Sequence, residues 1–186
     1  MKKLSLYISL LCLILTTGAC KNKTGGPATA SSELTDDALM DTVQRRTFLY
    51  FWEGAEPNSG LAPERYHVDG VYPQNDANVV TSGGSGFGIM AILAGIDRGY
   101  VTREEGLARM ERIVSFLEKA DRFHGAYPHW WYGDTGKVKP FGQKDNGGDL
   151  VETAFLMQGL LAILQKEGMA CHFSVIMRIM RSHLAT

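Results

Sequence analysis

The sequence predicts an all-α domain in which inner and outer helices alternate, as in an (α/α) toroid. Four segments repeat apolar residues at helical intervals and carry capping signals at their starts. Two of these segments are apolar on nearly every face, and each follows a glycine pair, Gly83-Gly84 or Gly147-Gly148. No strand-rich stretch competes with them. Stacked helical units, each of an inner helix, an outer helix and a long loop, would bury the apolar segments against one another.

Residues 1–20 predict a bacterial lipoprotein signal peptide that is not part of the fold. Two lysines precede an apolar run, Leu4 to Leu15, which is too short to span a bilayer comfortably. Small residues then lead to Cys20, an order that resembles a lipobox, so we expect lipid on Cys20. An ordinary secretory signal is the alternative. A lipidated chain would be held on the outer membrane or elsewhere in the cell envelope, facing the periplasm or the surface.

The rest of the composition fits one small domain behind a flexible tether. Residues 21–34 are small and polar, which is typical of a tether, and the domain begins at residue 35. With 19 basic and 20 acidic residues the net charge is -1, which does not favour nucleic acid as a partner. Cys12 is removed with the signal peptide and Cys20 carries lipid, so Cys171 has no partner for an internal disulfide.

The first two helices are predicted at Asp36–Glu53 and Ser82–Asp97, with an irregular loop between them. The second helix is rich in glycine and alanine. Because glycine weakens an isolated helix by about 1 kcal/mol relative to alanine, such a helix needs close neighbours. We therefore expect it to lie inside the structure.

Two more helices are predicted at Arg103–Ala120 and Asp149–Gln165. Thr102 and Glu105 form a capping box at the start of the first, whose apolar stripe and charged opposite face indicate an outer helix. Between the two helices lies an aromatic loop, residues 124–141, in which a turn at residues 134–136 joins two short extended pieces.

Several familiar motifs are absent. The run "GGSGFG" lacks the lysine of a phosphate-binding loop, and Phe87 stands where a nucleophile elbow around Ser85 needs glycine. The histidines follow no metal-binding pattern, so we expect neither a metal nor another cofactor. His124 and His129 share one loop and could touch a ligand, or be hydrogen-bonded structural histidines.

Aromatic residues are concentrated in the loop "FHGAYPHWWYGDTG". Flat rings offer contact area to the C–H faces of sugars, although each ring could equally anchor the core. We predict that a glycan would be contacted by six residues: Trp52, Glu53, Ser85, His129, Trp130 and Trp131.

Three acids surround the start of the last helix, in "KDNGGDLVETAFLMQGLL". Asp149 and Glu152 have the spacing of a capping box, which leaves Asp145 and the glycine pair unexplained. The alternative is a catalytic cluster, in which the glycines allow a ligand to approach the backbone. Glycosidases need one protonated and one ionised carboxyl group, and neighbouring carboxylates raise one another's pKa. We therefore predict that Asp145, Asp149 and Glu152 are catalytic.

The same residues resemble a known family. The stretches "FLYFWEGAEPNSGLAPER", "KADRFHGAYPHWWYGDTGKVKPF" and "KDNGGDLVETAFLMQGLL" resemble the glucoamylase-like lipoproteins of Bacteroidales, which are similar to the β-1,2-glucanases of glycoside hydrolase family 144. The resemblance implies an (α/α)6 barrel, inverting hydrolysis of β-1,2-linked glucan without a metal, and important pocket acids at the positions of Asp145, Asp149 and Glu152.

The resemblance runs from about Asp37 to about Leu164. It implies that residues 35–165 are only the N-terminal part of the family's domain, the first few helices of the ring. Residues 166–186 resemble nothing in the family, and we expect a frameshift or truncation there. The function expected from ancestry is a glycoside hydrolase acting on β-glucan, weakly active or inactive as this chain. The alternative is a non-catalytic glycan-binding lipoprotein or gene remnant.

Overall fold

The computed structural model describes residues 34–165. The predicted signal peptide with Cys20, all but the last residue of the predicted tether, and the tail from residue 166 lie outside the described residues. Contacts divide the chain into two units, Met1–Thr35 and Asp36–Thr186. Every helix and strand described below belongs to the second unit.

The described part of the chain is mainly helical, with four α-helices and three short strands. In chain order these are α1 Asp36–Trp52, β1 Val79–Thr81, α2 Ser82–Asp97, α3 Arg103–Lys119, β2 Trp130–Tyr132, β3 Val138–Lys139 and α4 Leu150–Gln165. The four predicted helices are confirmed to within about a residue at each end. Their place in a partial (α/α)6 toroid stays a prediction.

The all-α class omits a small antiparallel sheet of order β1-β2-β3. Val80 is paired with Trp131, and Trp131 is paired in turn with Val138. The two predicted extended pieces of the aromatic loop are β2 and β3, but their pairing with β1 was not expected. Strands of two or three residues are too short to show an alternating pattern. Because β1 runs directly into α2, the sheet fixes the aromatic loop beside the start of that helix.

Helices α2 and α4 approach each other more closely than side chains would permit. A Cβ atom added to Gly86 would lie 2.2 Å from the carbonyl oxygen of Phe155, and one added to Gly159 would lie 2.6 Å from the carbonyl oxygen of Gly86. Glycine allows this backbone contact because it has no side chain. Ile89 and Ile92 of α2 are fully buried, which confirms the predicted inner position of that helix.

Helix α3 is the outer helix that its pattern predicts. Thr102 accepts a hydrogen bond from the Glu105 N–H, and the Glu105 carboxylate accepts one from the Thr102 N–H, so the capping box is present. Met110, Ile113 and Leu117 are buried, whereas the charged face is exposed. None of the helices within residues 34–165 is long and apolar enough to cross a membrane.

Candidate active site

Glu152 joins the starts of the two inner helices. Its Oε2 accepts hydrogen bonds from the backbone N–H of Gly83, at 2.8 Å, and from the hydroxyl of Thr81, at 3.2 Å. Thr81 is the N-cap of α2, but its side chain makes no capping bond of its own. The carboxylate of Glu152 therefore supplies the negative charge that a helix N-terminus favours. A Cβ at residue 83 would lie 2.5 Å from Glu152 Oε2, so a side chain there would displace this carboxylate.

Asp149 caps α4 and also contacts the aromatic loop. Its Oδ1 accepts hydrogen bonds from the N–H groups of Val151 and Glu152, each at 3.0 Å. Its Oδ2 lies 2.9 Å from His129 Nδ1, and the two side chains are about a quarter exposed. The predicted capping box is thus half present, because Glu152 turns away to α2. His129 is also tied to α2, since its carbonyl oxygen accepts the Ser82 N–H at 3.1 Å.

The pKa of Asp149 differs from the expectation for clustered carboxylates. Burial raises it, but the N–H of Glu152, the ring of His129 and the N–H of Val151 together hold the pKa of Asp149 below its ordinary value. Hydrogen bonds to the charged form are the reason. The expectation that neighbouring acids raise each other's pKa is therefore wrong for Asp149, whose charged form is favoured.

Trp130 is the aromatic residue that lies beside this acid. Its ring centroid is 5.4 Å from that of His129 and 4.6 Å from that of Phe141, and the ammonium group of Lys139 lies 5.2 Å over it. Phe141 also contacts His129 at 4.6 Å. The indole N–H of Trp130 is buried and has no hydrogen-bond partner among residues 34–165. A half-buried aromatic surface with a charged rim therefore adjoins Asp149.

Asp145 lies in the turn that carries Phe141. The N–H of Phe141 donates to the carbonyl oxygen of Asp145 at 2.9 Å. Asp145 is exposed, and its side chain makes no hydrogen bond or ion pair with the described residues. The structure thus brings Asp149 and Glu152 together at one helix start, beside Trp130. That all three carboxyl groups face one cleft stays a prediction.

Trp131 is a core residue, contrary to its assignment as a glycan contact. It has no exposed surface, and its indole N–H donates to the carbonyl oxygen of Asp121 at 3.0 Å. Tyr127, from the same loop, is buried against it with ring centroids 5.2 Å apart, and burial raises the pKa of Tyr127 to about 12. The two rings fill the space between α3 and the sheet, so neither is available to a sugar.

Ser85 is also buried and has a structural role. Its hydroxyl donates to the carbonyl oxygen of Thr81 and accepts the N–H of Ala62 at 3.1 Å. It therefore ties the loop before β1 to helix α2. With its hydroxyl engaged in both directions and 2% of the residue exposed, Ser85 is not a surface for a ligand. The prediction that it contacts a glycan is corrected accordingly.

Trp52 and Glu53 lie at the end of α1. The guanidinium group of Arg109 stacks 4.4 Å over the Trp52 ring and donates to the Trp52 carbonyl oxygen, so this tryptophan joins α1 to α3. Glu53 is exposed and lines a hollow of about 500 Å³ with Arg46 and Tyr66. Within the described residues neither Trp52 nor Glu53 contacts Asp149, and the role of both toward a glycan stays a prediction.

The glycine pair before α4 has two different environments. A Cβ on Gly148 would lie 2.7 Å from Ala126 Cβ, so residue 148 packs against the aromatic loop. A Cβ on Gly147 would meet nothing within 4 Å. The contact with Ala126 accounts for glycine at position 148, although that residue is exposed, whereas no contact of an added Cβ accounts for glycine at position 147.

Four residues of this region were not predicted from the sequence as site residues: Thr81, Gly83, Lys139 and Phe141. Lys139 and Phe141 could be identified from the antiparallel pairing of Trp130 with Lys139, because this pairing places the end of β3 beside Trp130. Thr81 and Gly83 are recognisable only through their contact with Glu152, which is distant in sequence. No group of three or more histidine, cysteine or acidic side chains within residues 34–165 is placed to hold a metal ion.

Two substitutions distinguish the helix-capping role of Asp149 from the effect of its negative charge. Asp149→Ala should lower the free energy of unfolding by about 1 kcal/mol, because α4 loses its N-cap, whereas Asp149→Asn should cost less since asparagine caps comparably. The part of the stability that depends on the charge of Asp149 is present at neutral pH and is lost as the pH falls through the lowered pKa of this carboxyl group. Urea unfolding at pH 7 and pH 3 measures both; equal losses for the two variants at pH 7 would contradict the cap.

This chain is similar to parts of several known proteins. No family model matches the chain. An exo-β-1,2-glucooligosaccharide sophorohydrolase (non-reducing end) of Parabacteroides distasonis is 60% identical over 133 residues, which are 71% of this chain and 18% of that protein. The chain therefore spans less than a fifth of this relative.

Two solved structures are similar over more of their length. A candidate glucoamylase of Bacteroides caccae is 86% identical with a TM-score of 0.73, over 80% of this chain and 36% of that one. An endo-β-1,2-glucanase of Chitinophaga pinensis, in complex with sophorotriose and glucose, is 62% identical with a TM-score of 0.77, over 81% of this chain and 37% of that one. The resemblance seen in the sequence is thereby confirmed, because this chain is similar over part of their length to a glucoamylase-like protein and to two β-1,2-glucan hydrolases.

Proposed function

We propose that the chain is part of a glycoside hydrolase that acts on β-glucan, with β-1,2-linked glucan as its substrate. One observation carries the proposal. Asp149, in its charged form, and Glu152 lie at the adjacent starts of α4 and α2, and the ring of Trp130 lies beside them in contact with His129 and Phe141. They do so in a segment that is 62% identical to a β-1,2-glucanase solved with sophorotriose and glucose.

The electrostatics of Asp149 support a role for its charged form. Asp149 is held in its charged form, so it would accept a proton or bind sugar hydroxyl groups. Inverting hydrolysis needs an acid and a base about 6.5–9.5 Å apart on opposite sides of the scissile bond. Asp149 and Glu152 lie at the start of one helix, a position that suits the group on one side of the scissile bond. We propose that the opposite group comes from the part of the homologous fold that this chain does not match, and that the chain alone is weakly active or inactive.

The aromatic surface would receive the sugar. Trp130 and Phe141 offer flat faces beside Asp149, with ring centroids 4.6 Å apart. The ammonium group of Lys139 adds a donor at the rim. A rigid aromatic with a few polar groups around it is a suitable platform for an oligosaccharide.

A second candidate is a non-catalytic glycan-binding lipoprotein. Helix capping alone accounts for the contacts of Asp149 with α4 and of Glu152 with α2, and this favours the second candidate. Under this proposal the aromatic surface binds glycan and the acids hold the fold. The two candidates predict the same binding but different hydrolysis.

A graft separates these candidates. Residues 36–165 replace the matched segment of the C. pinensis endo-β-1,2-glucanase, and reducing-sugar release from linear β-1,2-glucan is compared with that of the parent and of this chain alone. We expect the graft to come within about tenfold of the parent and the chain to be at least about 100-fold slower, since it lacks one of two essential carboxyl groups. A folded, inert graft would favour the binding protein, and a chain as fast as the parent would show a complete site.

We also propose that Cys20 carries lipid and that the mature chain is a cell-envelope lipoprotein. The order of basic, apolar and small residues before Cys20 supports this proposal. Metabolic labelling with a fatty acid should mark the wild-type chain in a bacterial host and should not mark a Cys20→Ala variant. Equal labelling of both would place the lipid elsewhere and end the proposal.

A further inference from the structure

Asn146 and Gly147 lie next to each other in the irregular segment that precedes α4. The chain has five asparagines, and Asn146 is the one that glycine follows. The side-chain amide of an asparagine is open to attack by the backbone nitrogen of the next residue, which closes a succinimide ring. Glycine favours this attack, because it has no Cβ to obstruct the nitrogen and its backbone dihedral angles are the least restricted.

The fold engages neither of the two reacting groups. Within residues 34–165, the side-chain amide of Asn146 and the backbone N–H of Gly147 make no hydrogen bond. Asn146 is exposed and belongs to no helix or strand, so no regular hydrogen-bond pattern holds its backbone. A Cβ added to Gly147 would meet nothing within 4 Å, so there is space around the attacking nitrogen. The segment can therefore adopt the geometry that ring closure needs.

Asn58 provides the opposite case in the same chain. Its side-chain amide donates to Glu56 Oε1 at 2.8 Å, and the N–H of the following residue, Ser59, donates to Glu56 Oε2 at 2.7 Å. One buried carboxylate thus holds both of the groups that would have to react. The structure therefore predicts that Asn58 is protected from ring closure and that Asn146 is not.

We propose that Asn146 is a site of self-modification, at which the chain converts this amide to aspartate or isoaspartate. The Gly147 nitrogen bonds to the side-chain carbonyl carbon of Asn146, and the amide nitrogen leaves as ammonia with the proton of the Gly147 N–H. Water then opens the ring at either carbonyl group, which gives aspartate or, where the backbone continues through the side chain, isoaspartate. The overall change consumes one water, releases one ammonia and needs no other reactant. The proposal does not depend on any hydrolytic activity.

The product would alter the candidate active site. The N–H of Asp145 donates to the carbonyl oxygen of Gly142 at 3.2 Å, and the N–H of Asp149 donates to that of Tyr127 at 2.7 Å, so the segment is held at both ends. Isoaspartate adds a carbon atom to the backbone between these two points and has to displace one of them. Either product also adds a negative charge between Asp145 and Asp149, and like charges disfavour each other's ionised form.

The experiment follows the full chain as it ages. The purified protein is incubated at neutral pH, and the peptides that contain Asn146 and Asn58 are quantified over time by mass spectrometry, with isoaspartate labelled by an isoaspartyl methyltransferase. Gly147→Ala is the matched variant, because its Cβ meets nothing within 4 Å and the fold should be kept. A urea unfolding curve checks that both proteins are folded. A second incubation in urea removes the protection of Asn58.

We expect Asn146 to be converted to a mixture of aspartate and isoaspartate at least about tenfold faster than Asn58, and at least about tenfold faster than in Gly147→Ala, a difference of about 1.4 kcal/mol in the barrier. In urea Asn58 should react faster than it does in the folded chain. The proposal is overturned if Asn146 keeps its amide in the folded wild type, or if Gly147→Ala reacts as fast. It is also overturned if Asn58 reacts as fast as Asn146 in the folded chain, or no faster in urea, since the structural contrast between the two sites would then be wrong.

Discussion

A Glu152→Gln substitution in the grafted glucanase is expected to lower the rate of β-1,2-glucan hydrolysis by a factor of about 10²–10⁴ with little loss of stability. The factor is the typical contribution of a general acid or base. Glutamine keeps an oxygen that can accept the Gly83 N–H and the Thr81 hydroxyl, so the connection between α2 and α4 persists. The measurement is reducing-sugar release under saturating substrate, with a urea unfolding curve for each variant.

The matched variant is Glu152→Ala. It removes the acceptor from both donors, so it should also destabilise the graft by about 1–3 kcal/mol, the cost of leaving a polar group unsatisfied. If Glu152→Gln keeps the full rate while Glu152→Ala is unstable, the carboxylate serves only to hold the helices together. The catalytic proposal would then be wrong for this residue.

Gly86→Ala is expected to destabilise the domain by about 3 kcal/mol or more. Overpacking a core typically costs about 1–3 kcal/mol when side chains can adjust. Here the added Cβ would lie 2.2 Å from a backbone oxygen of Phe155, so α2 and α4 have to move apart as whole helices. The measurement is the urea midpoint and slope of the isolated domain.

Gly147→Ala provides the control for Gly86→Ala. A Cβ there meets nothing within 4 Å, and the residue does not have a positive φ. This substitution should change stability by less than about 1 kcal/mol, because it affects mainly the unfolded chain. If Gly86→Ala were as harmless as this control, the close contact between α2 and α4 would not exist in solution.

The sequence is sufficient to predict the helices because their signals are local. Apolar periodicity and the Thr102–Glu105 capping box act within one or two turns of chain. The inner position of α2 could also be inferred, since a glycine-rich helix needs close neighbours. The partner of Glu152 could not. Gly83 is 69 residues away, and the Asp149–Glu152 spacing gives no indication that the second acid turns to another helix.

The choice between Trp130 and Trp131 shows a second limit. Successive residues of a strand point to opposite faces, so one of two adjacent tryptophans enters the core and the other faces out. Which of them is buried depends on the pairing of β2 with β1, and a single residue of register reverses the answer. Strands of two or three residues give no pattern from which that register could be deduced. Ser85 was misassigned for a related reason, because its partner at Ala62 lies in an irregular loop.

The contact of Glu152 with the start of α2 has a consequence for how such sequences evolve. A gene that lost its catalytic role would still be selected to keep this carboxylate, because α2 would otherwise begin without an acceptor for the Gly83 N–H. Glycine at position 83 would be retained with it. The pair would therefore outlast the chemistry, and purifying selection at residues 83 and 152 would report on the survival of the fold. Selection on the side chain of His129, whose ring contacts Asp149 and no helix N–H group, would report on the survival of the site.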